Sequence, residues 1–168
     1  MMKNFKWVTV IVFAAVLQTT WPDMLRLQGV TPDLTLLLVV YFAITEGEER
    51  AMLTGLIGGV YQDTATNTVL GQHVFCHVIV AYAVGRISTR FVTEHPAVKA
   101  GSVLCAGFVD GFLHTAVRYV QEPRLGFFYT LLTSVVPTAF YTAVLTPVVF
   151  TLLRRLFAHD ERAQGGVV

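Results

Sequence analysis

The sequence predicts an all-α integral membrane protein, a bundle of six transmembrane helices. Three observations predict it. Of 168 residues, 54% are hydrophobic and only 14% charged, against roughly a quarter charged in a soluble domain. The mean hydropathy is +0.61. The charges also fall in short clusters between long apolar runs, as loops and spans do. The expected organisation is one polytopic transmembrane domain over residues 1–158 and a short, polar, disordered cytoplasmic tail over 159–168. A net charge of +1 points to no nucleic-acid partner.

The first apolar segment, at 6–22, follows Lys3 and Lys6 and has the outline of a signal peptide. No clean small-x-small cleavage site follows it. Trp21, Pro22 and Asp23 come next, so it reads as a retained first helix. Within it, Gln18 is an amide expected to bond a neighbouring helix. The second and third segments, at 33–45 and 51–64, are shorter than the roughly 20 residues of a full span. They are expected to tilt, to thin the bilayer, or to form a hairpin buried among the others.

The third segment contains GLIGGVYQD. Gly55, Gly59 and Asp63 are four residues apart and share one helix face. Glycines there let another helix approach closely, and Asp63 is expected to cap the next turn with its carboxylate. The alternative is that Asp63 accepts hydrogen bonds from a partner or bound group.

The fourth segment, 70–91, holds His73, Cys76 and His77. An HxxxH spacing puts two imidazoles on one face. A zinc site needs further ligands, HExxH is absent, and Cys76 points about 100° away from His77. The histidines are therefore expected to hydrogen-bond within the bundle, and no metal or cofactor is expected. The fifth segment, 97–118, carries Asp110, His114 and Arg118 at four-residue steps, within an arc of about 80°. Such residues read as a self-compensating ion-pair ladder, or as the lining of a polar cavity. Gly101, Gly107 and Gly111 add close-packing points. The last segment, 127–157, is too long for one span and holds Pro137 and Pro147. The sixth crossing is placed at 136–157, after an interfacial piece around FFYTLLTS. Cys76 and Cys105 sit in apolar runs and are expected to pack as small apolar side chains.

With the N-terminus inside, nine cations fall on the cytoplasmic side: Lys3, Lys6, Arg50, Arg86, Arg90, Lys99, Arg154, Arg155 and Arg162. Three fall outside, Arg26, Arg118 and Arg124. That bias orients a multi-pass protein with both termini cytoplasmic. Trp7, Trp21, Tyr41, Tyr119 and Tyr129 lie near segment ends, as interfacial aromatics do.

Nothing marks an enzyme. Aspartyl intramembrane proteases carry GxGD, whereas Asp110 sits in GFVDG. The Asn-rich motifs of lipoprotein signal peptidase are missing. Ser88, Ser102 and Ser134 lie in no GxSxG context. A transporter would need six helices around a polar centre, but no inverted repeat is visible.

The order of motifs resembles one family. Leu17-Gln18 closes the first helix. Gly29-Val30-Thr31-Pro32-Asp33-Leu34 is similar to a Gly-x-x-Pro-Asp-Leu entry to helix two. Asp63 is followed eight residues later by Gly71 in Leu70-Gly71. Tyr82 and Gly85 match Tyr-x-x-Gly, and PTAFYTAVLTPVVFTLLRRL resembles the closing helix. The chain thus resembles, nearly end to end, the MreD family of bacterial rod-shape-determining inner-membrane proteins. It departs where the family often has Ser-Gly-Gly-Pro. Here that turn is Thr66-Asn67-Thr68-Val69, in which Asn67 can adopt a left-handed conformation.

The resemblance implies a six-helix bundle similar to the S-components of ECF vitamin transporters, with no assigned reaction and no catalytic residues to carry over. It implies a non-enzymatic scaffold in the bacterial inner membrane that works with MreC, a bitopic protein. Around them is the elongation machinery of MreB, RodA and a class B penicillin-binding transpeptidase, which makes lateral peptidoglycan. A single span of the partner would dock on a small-residue face, that of Gly55 and Gly59 or that of Gly107 and Gly111. Self-association is left open. The alternative is a small-solute-binding subunit, which would show a closed polar pocket with aromatic walls near the outer face.

Overall fold

The computed structural model describes residues 2–22, 24, 26, 29–66, 69–91, 95–121 and 126–164. Asp23, Asn67, Thr68, Arg124 and the last four residues of the tail lie outside the described residues, as do the side chains of Lys3, Arg90 and Arg162. The protein is all-helical. The helices are α1 (Met2–Thr19), α2 (Leu34–Thr45), α3 (Glu48–Ala65), α4 (Gln72–Phe91), α5 (Pro96–Gln121), α6 (Phe127–Thr130) and α7 (Val136–Gln164). A π-helical turn, Leu131–Val135, joins α6 to α7.

The centre is α2. Every residue from Leu34 to Ala43 is buried, and α1, α3, α4, α5 and α7 all pack on it. A helix apolar all round belongs inside. Its 12 residues rise only about 18 Å, because it meets protein on every side. Of the three expectations for the short segments, burial is the one α2 follows. Its aromatic end is built from edge-to-face rings: Tyr41 on Phe150 at 5.2 Å and Phe42 on Phe157 at 5.5 Å. Two residues expected at the membrane interface, Trp7 and Tyr41, are therefore buried, at 8% and 5% exposure. Burial of Trp7 is tolerated because its indole N–H donates to Thr54 Oγ1 at 3.1 Å.

On α3, and on α7 around Thr142 and Thr146, polar or small residues turn inward and apolar ones outward. On α3, Thr54, Gly55, Gly58, Gly59 and Gln62 are buried, while Leu53, Leu56 and Val60 are exposed. On α7, Thr142 and Thr146 are buried, while Val144, Val148 and Leu152 are exposed. That inversion suits hydrocarbon and not water. By length and composition, two helices can cross a membrane, Pro96–Gln121 and Phe127–Phe157. The apolar helices Asn4–Thr19 and Leu34–Thr45 are shorter.

The prolines do not break the last helix. The π turn ends at Val135, two residues before Pro137, and Pro147 lies inside α7. A helical path therefore runs unbroken from Phe127, and the expected interfacial piece before a separate crossing is not seen. The π turn lets the chain shift register just where proline removes a donor. The same path continues to Gln164, so the first part of the segment expected to be a disordered tail is helical.

Glycines set the closest approach, between α3 and α4. A Cβ on Gly59 would lie 2.7 Å from Val74 Cα, and one on Gly85 would lie 2.7 Å from Glu48 Cα. The Tyr82-x-x-Gly85 motif thus seats the start of α3 against the end of α4. Residues at that end also meet: Arg50 Nη2 donates to Asn4 Oδ1 at 2.8 Å, Arg86 pairs with Glu48 at 3.3 Å, and Lys99 and Arg154 share a recess with Thr45. Cys76 is buried as expected, but Cys105 is exposed on α5.

Replacing Gly59 by Leu should lower the detergent melting temperature, since overpacking costs about 1–3 kcal/mol. Gly101→Ala, where an added Cβ meets nothing within 4 Å, should leave the melting temperature unchanged or raise it slightly. Equal behaviour of the two variants would mean the helices are not packed this closely.

Candidate functional site

The polar residues gather around the N-terminus of α2. The first N–H groups of a helix lack intrahelical acceptors, and here side chains from other helices supply them. Asp33 Oδ1 accepts from Leu36 N at 2.8 Å, a side-chain N-cap. Gln18 Oε1, from α1, accepts from Thr35 N at 3.1 Å and from Thr35 Oγ1 at 3.2 Å. Gln62 Nε2, from α3, donates to Thr35 Oγ1 at 2.9 Å. Asp33 N donates to Thr142 Oγ1 of α7 at 3.0 Å. Pro32 is buried directly before the cap, and its ring disfavours helical geometry at Thr31, the residue before it.

A second capping acid lies beside this one. Asp63 ends α3 and is 2% exposed. Its Oδ2 accepts from Gly71 N at 2.7 Å, and its Oδ1 from His73 N at 2.9 Å. His73 Nδ1 lies 2.8 Å from the same Oδ1. One carboxylate thus closes the turn and caps α4, where a helix N-terminus favours negative charge. Gly71 has φ +99°, a left-handed geometry that glycine adopts without penalty. Position 71 needs glycine so that its N–H can turn toward Asp63.

The histidines carry the network inward. The His73 ring lies 4.3 Å from that of His114. His77, fully buried, points Nε2 at Asp33 Oδ2, 3.4 Å away, and at Asp110 Oδ1, 3.8 Å away. Asp33, His77 and Asp110 therefore come together from α2, α4 and α5. The sequence shows the His73/His77 spacing but nothing that brings an acid to it from either side. The visible signal was Asp33 itself, a capping residue before an apolar run.

Asp110, His114 and Arg118 do not form the expected ladder, and among the described residues no ion pair joins them to one another. They line a cavity of about 200 Å³ instead, together with Gly107 and Gly111. Thr130, Ser134 and Thr138 face them from the last helical path. The glycine faces expected to receive a partner are filled from within the chain. A Cβ on Gly55 would lie 3.1 Å from His77 backbone, and one on Gly107 would lie 3.1 Å from Ala139 Cβ. Gly111 is covered by Val135, the last residue of the π turn.

The sequence pattern of one family, described as rod shape-determining protein MreD, matches residues 1–158. The chain belongs to the MreD family. MreD proteins are bacterial membrane proteins that determine rod shape, and theirs is not a known enzyme family. No match was found among curated proteins or among solved structures. In this MreD chain, three of the motifs that carry the resemblance build the polar end. Pro32-Asp33 caps α2, Asp63 and Gly71 close the turn into α4, and Gln18 supports the first turn of α2.

Asp63→Ala should lower the melting temperature, because it strands two backbone donors at roughly 1–3 kcal/mol each when buried. Asp63→Asn keeps one acceptor and should fall between the two proteins. An Asp63→Ala melting curve that overlays wild type would remove the capping role.

Proposed function

We propose that this chain is a non-enzymatic scaffold of the bacterial cell-elongation complex, with MreC as its docking partner. On this reading it crosses the inner membrane six times, with both termini cytoplasmic, in an architecture like that of ECF transporter S-components. Its consequence is control of where lateral peptidoglycan is made, alongside MreB, RodA and a class B penicillin-binding transpeptidase. Family membership over residues 1–158 supports the shape-determining role. The gathering of Arg50, Arg86, Lys99 and Arg154 at one end of the bundle supports the orientation.

The single observation that carries the docking reading is the cavity beside α5. Five of the residues expected to bind a partner, Gly107, Asp110, Gly111, His114 and Arg118, line it together. The Gly55 and Gly59 face is occupied by α4, so the partner's place is this opening, which Gly107 and Gly111 border. Tyrosine, tryptophan and phenylalanine are missing from its described lining. The rings among its described lining residues are the imidazoles of His73 and His114, and family membership favours the scaffold reading.

Ser134 is exposed and borders the cavity. Ser134→Trp should fill the opening and leave the fold intact. Co-purified MreC should fall at least tenfold, equivalent to about 1.4 kcal/mol, with an unchanged melting temperature. Undiminished MreC would overturn the docking site. A stoichiometric small molecule retained in native mass spectrometry, and lost in Ser134→Trp, would favour solute binding instead.

A further inference from the structure

We propose that Asp33, His77 and Asp110 form a binding site for one divalent transition-metal cation, which ties α2, α4 and α5 together. The three ligand atoms lie within 4.8 Å of one another. His77 Nε2 is 3.4 Å from Asp33 Oδ2 and 3.8 Å from Asp110 Oδ1. Tetrahedral zinc with nitrogen and oxygen ligands at about 2.0–2.2 Å holds its ligand atoms roughly 3.4 Å apart. The two separations to His77 already lie near that value, and the two carboxylate oxygens, within 4.8 Å of each other, would close onto a metal by side-chain rotation.

Hydrogen bonding alone leaves the cluster unsatisfied. One imidazole Nε2 carries at most one proton, yet two carboxylate oxygens face it: Asp33 Oδ2 shares a long hydrogen bond with it at 3.4 Å, and Asp110 Oδ1, at 3.8 Å, is beyond hydrogen-bond reach. Asp110 is 7% exposed, and its Oδ1 has no hydrogen-bond partner among the described residues. A buried acceptor left this way is costly, more so in an apolar interior. With both carboxylates ionised, a divalent cation cancels their charge and coordinates the oxygen that imidazole does not reach.

The ligands are held in place by groups outside the cluster. Asp33 spends Oδ1 on the α2 cap and its backbone N–H on Thr142, which leaves Oδ2 facing His77. One nitrogen and two oxygens suit zinc and its first-row neighbours better than magnesium, which prefers oxygen ligands. Three protein ligands leave a fourth position, and Asp33 and Asp110 both border the cavity through which a water or a ligand would reach it. His77 Nδ1 is buried without a hydrogen-bond partner among the described residues. The imidazole thus lacks the second partner that usually strengthens a metal ligand, worth about 10–100-fold in affinity, so binding weaker than in closed structural sites is expected. The site stands independently of whether the cavity docks MreC.

The test uses full-length protein in detergent, stripped with a chelator and titrated with Zn²⁺ alone. About one Zn²⁺ per chain by elemental analysis, with a rise in melting temperature, is expected. Asp110→Asn and His77→Gln should each weaken Zn²⁺ binding at least tenfold. His95→Gln, at an exposed residue outside the cluster, should not. Wild type that takes up no stoichiometric Zn²⁺, or Asp110→Asn that binds as tightly as wild type, overturns the site. Should either variant fail to fold, Co²⁺ added to wild type decides the matter. Visible d–d bands of a low-coordinate nitrogen–oxygen site are expected, and a spectrum like that of aqueous Co²⁺ overturns the proposal.

Discussion

The structure depends on one constraint: the N-terminus of α2 is buried and must be hydrogen-bonded by something other than water. A helix start presents unpaired N–H groups, and a lipid-surrounded interior offers them no solvent. Each acceptor comes from a different part of the chain. Asp33 caps from within, Gln18 reaches over from α1, and Thr142 reaches over from α7. Gln62 then secures Thr35, the residue on which Gln18 converges. Remove α2 and these polar groups lose their purpose. Remove them and α2 cannot stay buried.

The rest of the bundle follows from hydrocarbon as solvent. Apolar side chains gain nothing by leaving lipid for a protein interior, so helix association relies on close packing and polar contacts. That explains why large aliphatic residues such as Val60, Val144 and Leu152 face out. It also explains why the α3–α4 contact is built on Gly55, Gly59 and Gly85, where each missing Cβ lets backbone approach backbone. The aromatic cluster of Tyr41, Phe42, Phe150 and Phe157 adds shape at the opposite end of α2. There the carbonyls of Tyr41 and Phe42 accept from Thr45 Oγ1 and Glu46 N, and Ser88 Oγ of α4 donates to Ala43 O at 3.1 Å.

Local features were legible in the sequence, and convergent ones were not. Asp63 and Gly71 are near in sequence, and the acid-to-glycine spacing is enough to describe a capped turn. The four-residue steps of Asp110, His114 and Arg118 correctly put them on one face. What that face met was not legible, because a charge ladder and a cavity lining have the same spacing. The Asp33–His77–Asp110 cluster joins residues from three helices, with Asp33 and His77 44 positions apart. No periodicity links such positions; only the packing of α4 and α5 on α2 does. The prolines misled for a related reason. Proline read locally is a helix breaker, but the π turn before Pro137 absorbs the change of register. Trp7 and Tyr41 misled because residues near segment ends suit either the interface or the core, and a partner such as Thr54 decides between them.

These features divide the molecule into a tight half and an open half. From α1 to α4, glycine contacts, the Asp63 turn and the Gln18–Thr35–Gln62 bonds leave few ways to move. Between α5 and the last helical path, close packing at Gly107 and Gly111 is bordered by the cavity, and the facing wall includes the π turn. A π turn inside a longer helix is a less regular element and is often found at functional sites. Gly111 lies directly against it through Val135, so a shift of the π turn would be felt by α5. Asp110, next in sequence, belongs to the buried cluster that reaches back to Asp33 and the α2 cap. A partner acting at the cavity would therefore press on the helix that links the open half to the buried centre. Coupling across so short a path needs no long-range relay, only that α5 move as a rigid rod. On the docking reading proposed above, this arrangement would give a shape-determining membrane protein a way to register a bound partner.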